Sequence, residues 1–279
     1  MVHMVKKTID EFKLLLGDST RSEQDYQDFI EKHTELFAPP FIQNHGIHFD
    51  FLISKFPLDT SRVSDLAYLT KSTIRWWFVL LELESAHKPL FTRRGKPSEG
   101  LKDAIAQVDD WKNFVHRHGS EVIRRIQPIL YPLKKNKVYF KYAIIIGRNA
   151  ELENNQSNRD MLDALQRDDL RIVTYDTLIS SASYSLPSTK NIVRLEREKF
   201  RIKYMHKCPE NIFAFLTPEQ ISVTSDQRKR LVSEGYEMNK WENGQLLTIN
   251  GKTTDMKRGI KEGLKSIHIL MKRSENSTN

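Results

Sequence analysis

Cysteine is nearly absent: the 279 residues contain one, Cys208. A lone cysteine excludes an internal disulfide, and with no second thiol to form a ligand pair it argues against a structural zinc site. No apolar run approaches the roughly 18 to 20 residues of a membrane span. The opening stretch MVHMVKKTIDEFKLLLG is amphipathic and charged, unlike a signal peptide. Internal repeats and low-complexity tracts are missing, and so is an aromatic pair of the kind that RNA-reading sheets present. These absences lead us to expect a soluble protein of the reducing cytoplasm, without a membrane partner.

Charge, by contrast, is plentiful. There are 44 Lys and Arg residues against 36 Asp and Glu, for a net charge of +8 and a pI near 9.4. The excess suits a polyanionic partner such as nucleic acid, and suits equally well a surface that lysine keeps soluble. A chain of this length buries about three quarters of its extended surface on folding, which is enough for a large core.

Hydrophobic spacing places the elements. Residues 8–16 read as a short amphipathic helix that Gly17 would cap in the left-handed conformation. A second helix follows, with Thr20 and Glu23 at capping-box spacing and Tyr26, Phe29, Ile30, His33 and Phe37 along one face, until Pro39 and Pro40 stop it. HGIHFDFLISKF, RVSDLAYL and WWFVLLELE read as three strands. The near-continuous apolar run of the third implies burial on both faces. After a loop, SAHKPLFTRRGKPSEG, a helix begins near Ser98 or Glu99. Its stripe is Leu101, Ala104, Ile105, Val108, Trp111 and Val115, with Gln107 at the stripe's edge.

A basic connector, helical in part, leads to the strand VYFKYAIIIG. Then come a helix at NRDMLDALQ, a strand at LRIVTYD and a short helical turn at TLIS, an α/β alternation. The serine-rich stretch 181–190 is the best linker. The expected organisation is an N-terminal helix (1–20), a main domain (21–180), the linker, a smaller α+β unit (191–273) with a basic last helix at DMKRGIKEGLKSIHILMKR, and a disordered tail (274–279).

The chemistry gathers around WWFVLLELES. Strand alternation points Glu82 and Glu84 the same way, about 6 to 7 Å apart. Asp65 lies opposite Glu82 if the hairpin between the second and third strands turns midway, at residues 73 and 74. Three carboxylates on one face repel one another by about 3 kcal/mol per pair at 6 Å and an effective dielectric near 20. A positive group must sit among them: either lysine or arginine, giving a structural cluster, or a divalent cation such as Mg²⁺ or Mn²⁺.

Gln107 can orient water or phosphate there, or be a plain helix-edge residue. Glu23 is an additional ligand unless the capping box accounts for it. Lys88, Arg93, Arg94 and Lys96 form a basic loop suited to a phosphate backbone, though loops of this composition are also merely solvated. Arg148, after Gly147, reads as a phosphate contact or a strand-end charge. His116 and His118 have the spacing of metal ligands on a strand, but their segment is not strand-like.

A helix carrying Glu23, a strand with Asp65, a strand ending Glu82-Leu83-Glu84 and a helix with Gln107 resemble, in that order, the PD-(D/E)XK nuclease superfamily. ELESAHKPLFTRRG followed by AIAQVDDW, then AIIIGR and RIVTYDTLI, and the helix SEQDYQDFIEKHTELF, resemble more narrowly the Shedu family of bacterial anti-phage nucleases, over roughly residues 22–180. That resemblance implies a restriction-endonuclease-like mixed sheet flanked by helices and a Mg²⁺-dependent DNA endonuclease that acts against phage as a homo-oligomer. It also matches Asp65 and Glu82 to metal-binding acids and Gln107 to the glutamine after the catalytic strand.

In one respect the chain departs from the superfamily. The superfamily's lysine two residues after the glutamate is Glu84 here, removing a cation where the transition state gathers negative charge. Lys88 from the loop, Lys102 from the helix, or a second metal on Glu84 can replace it, and Lys88 is the nearest in sequence. A catalytically inactive nuclease fold that binds DNA or protein is the alternative.

Overall fold

The computed structural model of the chain describes residues 2–184, 188–209 and 211–248. Helix α1 (Val2–Gly17) is longer than its apolar pattern predicts, and Gly17 ends it without a left-handed φ. Helix α2 (Glu23–Lys32) is capped two residues on from the expected box. Ser22 is the cap: its N–H donates to Asp25 Oδ2 at 2.8 Å, and Asp25 N–H returns to Ser22 Oγ at 3.3 Å. Thr20 is instead bonded to Asp18, its hydroxyl 2.7 Å from Oδ1.

Three strands follow, β1 (Phe51–Pro57), β2 (Val63–Lys71) and β3 (Arg75–Leu83), joined as antiparallel neighbours. Helix α3 (Glu99–Ile126) has Ser98 as its cap and absorbs the first half of the basic connector, bending at His118. His116 and His118 therefore lie within this helix and not on a strand, His118 at the bend with a non-helical φ of −123°. Next come β4 (Lys137–Ile145), α4 (Gln156–Leu165), β5 (Leu170–Val173) and α5 (Tyr175–Tyr184). The segment beyond residue 190 supplies β6 (Asn191–Glu196), β7 (Lys199–Tyr204), β8 (Ile221–Ser222), α6 (Ser225–Ser233) and α7 (Met238–Glu242).

Among the described residues the strands make one eight-stranded mixed sheet in the order β5-β4-β3-β2-β1-β6-β7-β8. The segment expected as a smaller α+β unit is thus hydrogen-bonded into the main sheet, β6 running parallel to β1 with Phe51 beside Asn191. Strand β3 lies in the interior, as its apolar run requires. One face of the sheet takes α3, whose Leu101, Ala104, Val108 and Trp111 pack on Leu69, Phe78, Leu80 and Ile144. The other takes α1, α2 and α5 over Leu66, Tyr68, Val79 and Leu81. Among the described residues no helix is long and apolar enough to cross a membrane. Of the strand expected at QLLTING, residues 245–248 form no strand, Leu247 N–H donating instead to Phe213 O at 2.9 Å, while residues 249–251, the basic helix expected at 255–273 and the tail lie outside the described residues.

Candidate active site

The hairpin of β2 and β3 pairs Leu66 with Leu81 and Lys71 with Trp76, a register centred between Thr73 and Ile74. Continued by one pair, it sets Asp65 opposite Glu82. The hydrogen bonding agrees, since Asp65 Oδ2 accepts from Leu83 N–H at 2.8 Å. Alternation along β3 turns Glu82 toward α3, whose Gln107 donates from Nε2 to Glu82 Oε1 at 2.7 Å. Gln107, at the edge of the α3 stripe, thus reaches the carboxylate.

Glu82 is 9% exposed, and its other oxygen, Oε2, is buried without a hydrogen-bond partner among the described residues. Burial first, and the charges of Asp65 and Glu84 second, push its carboxyl up to about 9. Glu84, just past the end of β3, is held by different neighbours. Lys88 donates to its Oε2 and also reaches Glu23 Oε1 at 3.1 Å. Burial raises the Glu84 carboxyl, and Lys88 works against that rise. The Lys88 amine is pulled down by burial but raised on balance by its bonds to Glu84 and Glu23. Because Ser22 and Asp25 form the cap, Glu23 is free to join the site as the first residue of α2.

Lys55 escapes a reading of the sequence for apolar periodicity. Its Nζ lies 2.5 Å from Asp65 Oδ1. Pairing of Ser54 with Leu66 and Phe56 with Ser64 leaves Lys55 across from Asp65. The signal was available: the turn arithmetic that joins Asp65 to Glu82 also joins Lys55 to Asp65 about a break centred on Thr60. What the sequence hides is the backbone. Lys55 has φ of 47°, left-handed, inside a strand. This breaks the alternation, so that Ile53 and Phe56, three residues apart, enter the same core. A lysine in that conformation costs about 1–2 kcal/mol, and such strain concentrates at functional positions.

A buried network lies beneath the acids. Gln27 Nε2 donates to the Asp65 carbonyl and to Glu31 Oε1, both at 2.9 Å. Glu31, fully buried, also accepts from Ser54 Oγ at 2.6 Å and pairs with Lys203 of β7 at 2.6 Å. Residues of α2, β1, β2 and β7 are thereby fixed to one another beside Asp65.

The remaining candidates are spread around this centre. Arg93, Arg94 and Lys96 are exposed on a loop that is itself ordered: Thr92 N–H donates to Lys96 O, and Glu151 receives the N–H groups of Leu90 and Phe91. Gly147 lets β4 close on the start of that loop, because it has φ of 64° and a Cβ there would stand 2.8 Å from Lys88 O. Arg148 is bonded twice to Asp176, at 2.9 and 2.8 Å. Lys102 is exposed on the first turn of α3.

Asp65, Glu82 and Glu84 offer oxygen donors of the kind Mg²⁺ and Mn²⁺ take, and the partnerless Glu82 oxygen is a ready ligand atom. In the chemical type of their donors the residues fit such a cation. As they stand, no three His, Cys, Asp or Glu side chains among the described residues are gathered closely enough to hold one. Lys55 and Lys88 are paired with Asp65 and Glu84. No curated protein matches the chain. A family model described as Shedu protein SduA, C-terminal, matches residues 20–179.

Proposed function

Since the chain belongs to the Shedu SduA family, whose model covers more than half of it, and that membership suggests defence against phage, we propose that it is a metal-dependent DNA endonuclease. The observation that carries this reading is the buried, partnerless Glu82 oxygen opposite Asp65 at the end of an interior strand. Asp65, Glu82 and Glu84 would hold Mg²⁺ or Mn²⁺. Such an ion, when bound, polarises a phosphate oxygen and lowers the pKa of a water at the site. The chain's own residues do the rest. Gln107 fixes the Glu82 carboxylate and offers its amide to water or phosphate, and Lys88 fixes Glu84 against Glu23. Arg93, Arg94 and Lys96 supply backbone contacts that carry affinity without sequence preference. Assembly as a homo-oligomer in the cytoplasm belongs to the same proposal.

Defined linear, circular and single-stranded DNA, incubated with Mg²⁺ and with excess chelator, tests it. Cleavage should require the metal and be lost in Glu82→Ala, and cleavage that survives chelation would sink the reading. A second reading has its own support, because two lysines already balance Asp65 and Glu84. It makes the chain a non-catalytic module that binds DNA. Mn²⁺ raises the Tm of a metal site by mass action, so a flat response with retained DNA binding favours the module.

A further inference from the structure

Resting on the nuclease reading, we infer that Lys55 is the working cation of this site. It neutralises Asp65 while no metal is bound, yields that carboxylate to the metal, and then stands beside the scissile phosphate in place of the lysine that Glu84 replaces.

Lys55 is the lysine paired with Asp65, at 2.5 Å, and its charge also acts on Glu82. The two lysines that sequence spacing favours are placed for other work. Lys88 bridges Glu84 and Glu23, and Lys102 is exposed on α3. The backbone presents Lys55 deliberately: β1 is paired on both sides, by β2 and β6, yet turns left-handed at this residue. Glu82 Oε2 meanwhile has no partner among the described residues, although its carboxyl group is buried beside two other acids. A divalent cation held by that oxygen would compete with the Lys55 ammonium for Asp65, and the amine so released would be available to a bound phosphodiester. Electrostatic stabilisation of the charge that gathers on phosphorus-bound oxygens needs no proton transfer from Lys55.

The full-length chain with Mn²⁺ as probe tests this. Lys55→Gly suits the left-handed backbone and deletes the amine, and Lys55→Asn is a second neutral variant that tolerates the same conformation. With Asp65 no longer contested, the Mn²⁺ concentration at half-maximal thermal shift should fall about tenfold. The kcat for DNA cleavage should fall about 100-fold with little change in KM. Lys55→Arg should keep the Mn²⁺ midpoint within about threefold of wild type and recover about tenfold of the lost kcat. A merely structural lysine would not tighten metal binding while slowing turnover. Variants in which either quantity stays at the wild-type value, in a wild type that cuts DNA and responds to Mn²⁺, overturn the role of Lys55 and leave the nuclease reading intact. A wild type with neither cleavage nor a Mn²⁺ response overturns both.

Discussion

Lys55 and Lys88 are paired with the two acids whose charges act on Glu82, and they are held in opposite ways. Lys55 projects from a strand with neighbours on both sides, its position set by a strained backbone, and pairs with one carboxylate. Lys88 comes from the start of a loop, is 39% exposed, and divides its charge between a buried glutamate and an exposed one. The first pair is fixed by the sheet and the second by the meeting of a loop with the end of a helix. Anchoring in the sheet fixes the point from which the Lys55 amine can turn from Asp65 to a substrate, whereas the Lys88 amine depends on the loop and the helix that it ties together.

The sharpest way to break this comparison is at Glu82, on which both acids act. Asp65→Ala and Glu82→Ala should each lower cleavage by about 10³-fold, and a near-wild-type rate in either would remove the site altogether. Glu82→Gln separates chemistry from stability. The folded carboxyl titrates at about 9 against an ordinary 4.5 because of burial first and neighbouring acids second. The folded chain thus keeps a proton that the unfolded chain releases. Its stabilising contribution is complete below about pH 4.5 and is lost as pH rises through about 9.

In chelator, Glu82→Gln should therefore melt higher than wild type by a margin that grows to a few kcal/mol by pH 8 and closes below about pH 4.5. A margin independent of pH would show that Glu82 is not the titrating group. Beneath the Lys55 strand, Lys203→Met strands the fully buried Glu31 carboxylate without its cation and should cost about 3 kcal/mol in chemical denaturation. On the looser side, Lys88→Met should cost only about 1 kcal/mol. A loss as large as that of Lys203→Met would erase the contrast between the two lysines. The smallest expected difference concerns the helix that carries Glu23. Ser22→Ala should lower stability by about 1 kcal/mol while Thr20→Ala, with its hydroxyl on Asp18, should leave α2 unchanged.

Much of this site was legible in the sequence because a hairpin is a local object. Once the turn falls between residues 73 and 74, the pairing of Asp65 with Glu82 follows from counting. The apolar stripe of α3 likewise placed Gln107 close enough to act. Lys55 was within reach of the same counting, but periodicity draws attention to apolar positions, and no pattern announces a left-handed lysine. The cap of α2 was ambiguous because Thr20 with Glu23 and Ser22 with Asp25 both have capping spacing. Asp18, by bonding Thr20, decides between them. The joining of β6 to β1 brings together residues some 140 apart in the chain, and spacing within a segment carries no trace of so distant a parallel pair.

That distant pair has a practical consequence. The family match ends at residue 179, whereas the strand that completes the edge of β1 begins at Asn191. A fragment cut to the matched residues would leave the strand bearing Lys55 with its backbone N–H and C=O groups open along one side, the condition that invites strands of separate molecules to zip together. The boundary of what is similar between relatives is thus not the boundary of what folds, and expression of residues 20–179 alone should yield aggregates where the longer chain stays in solution.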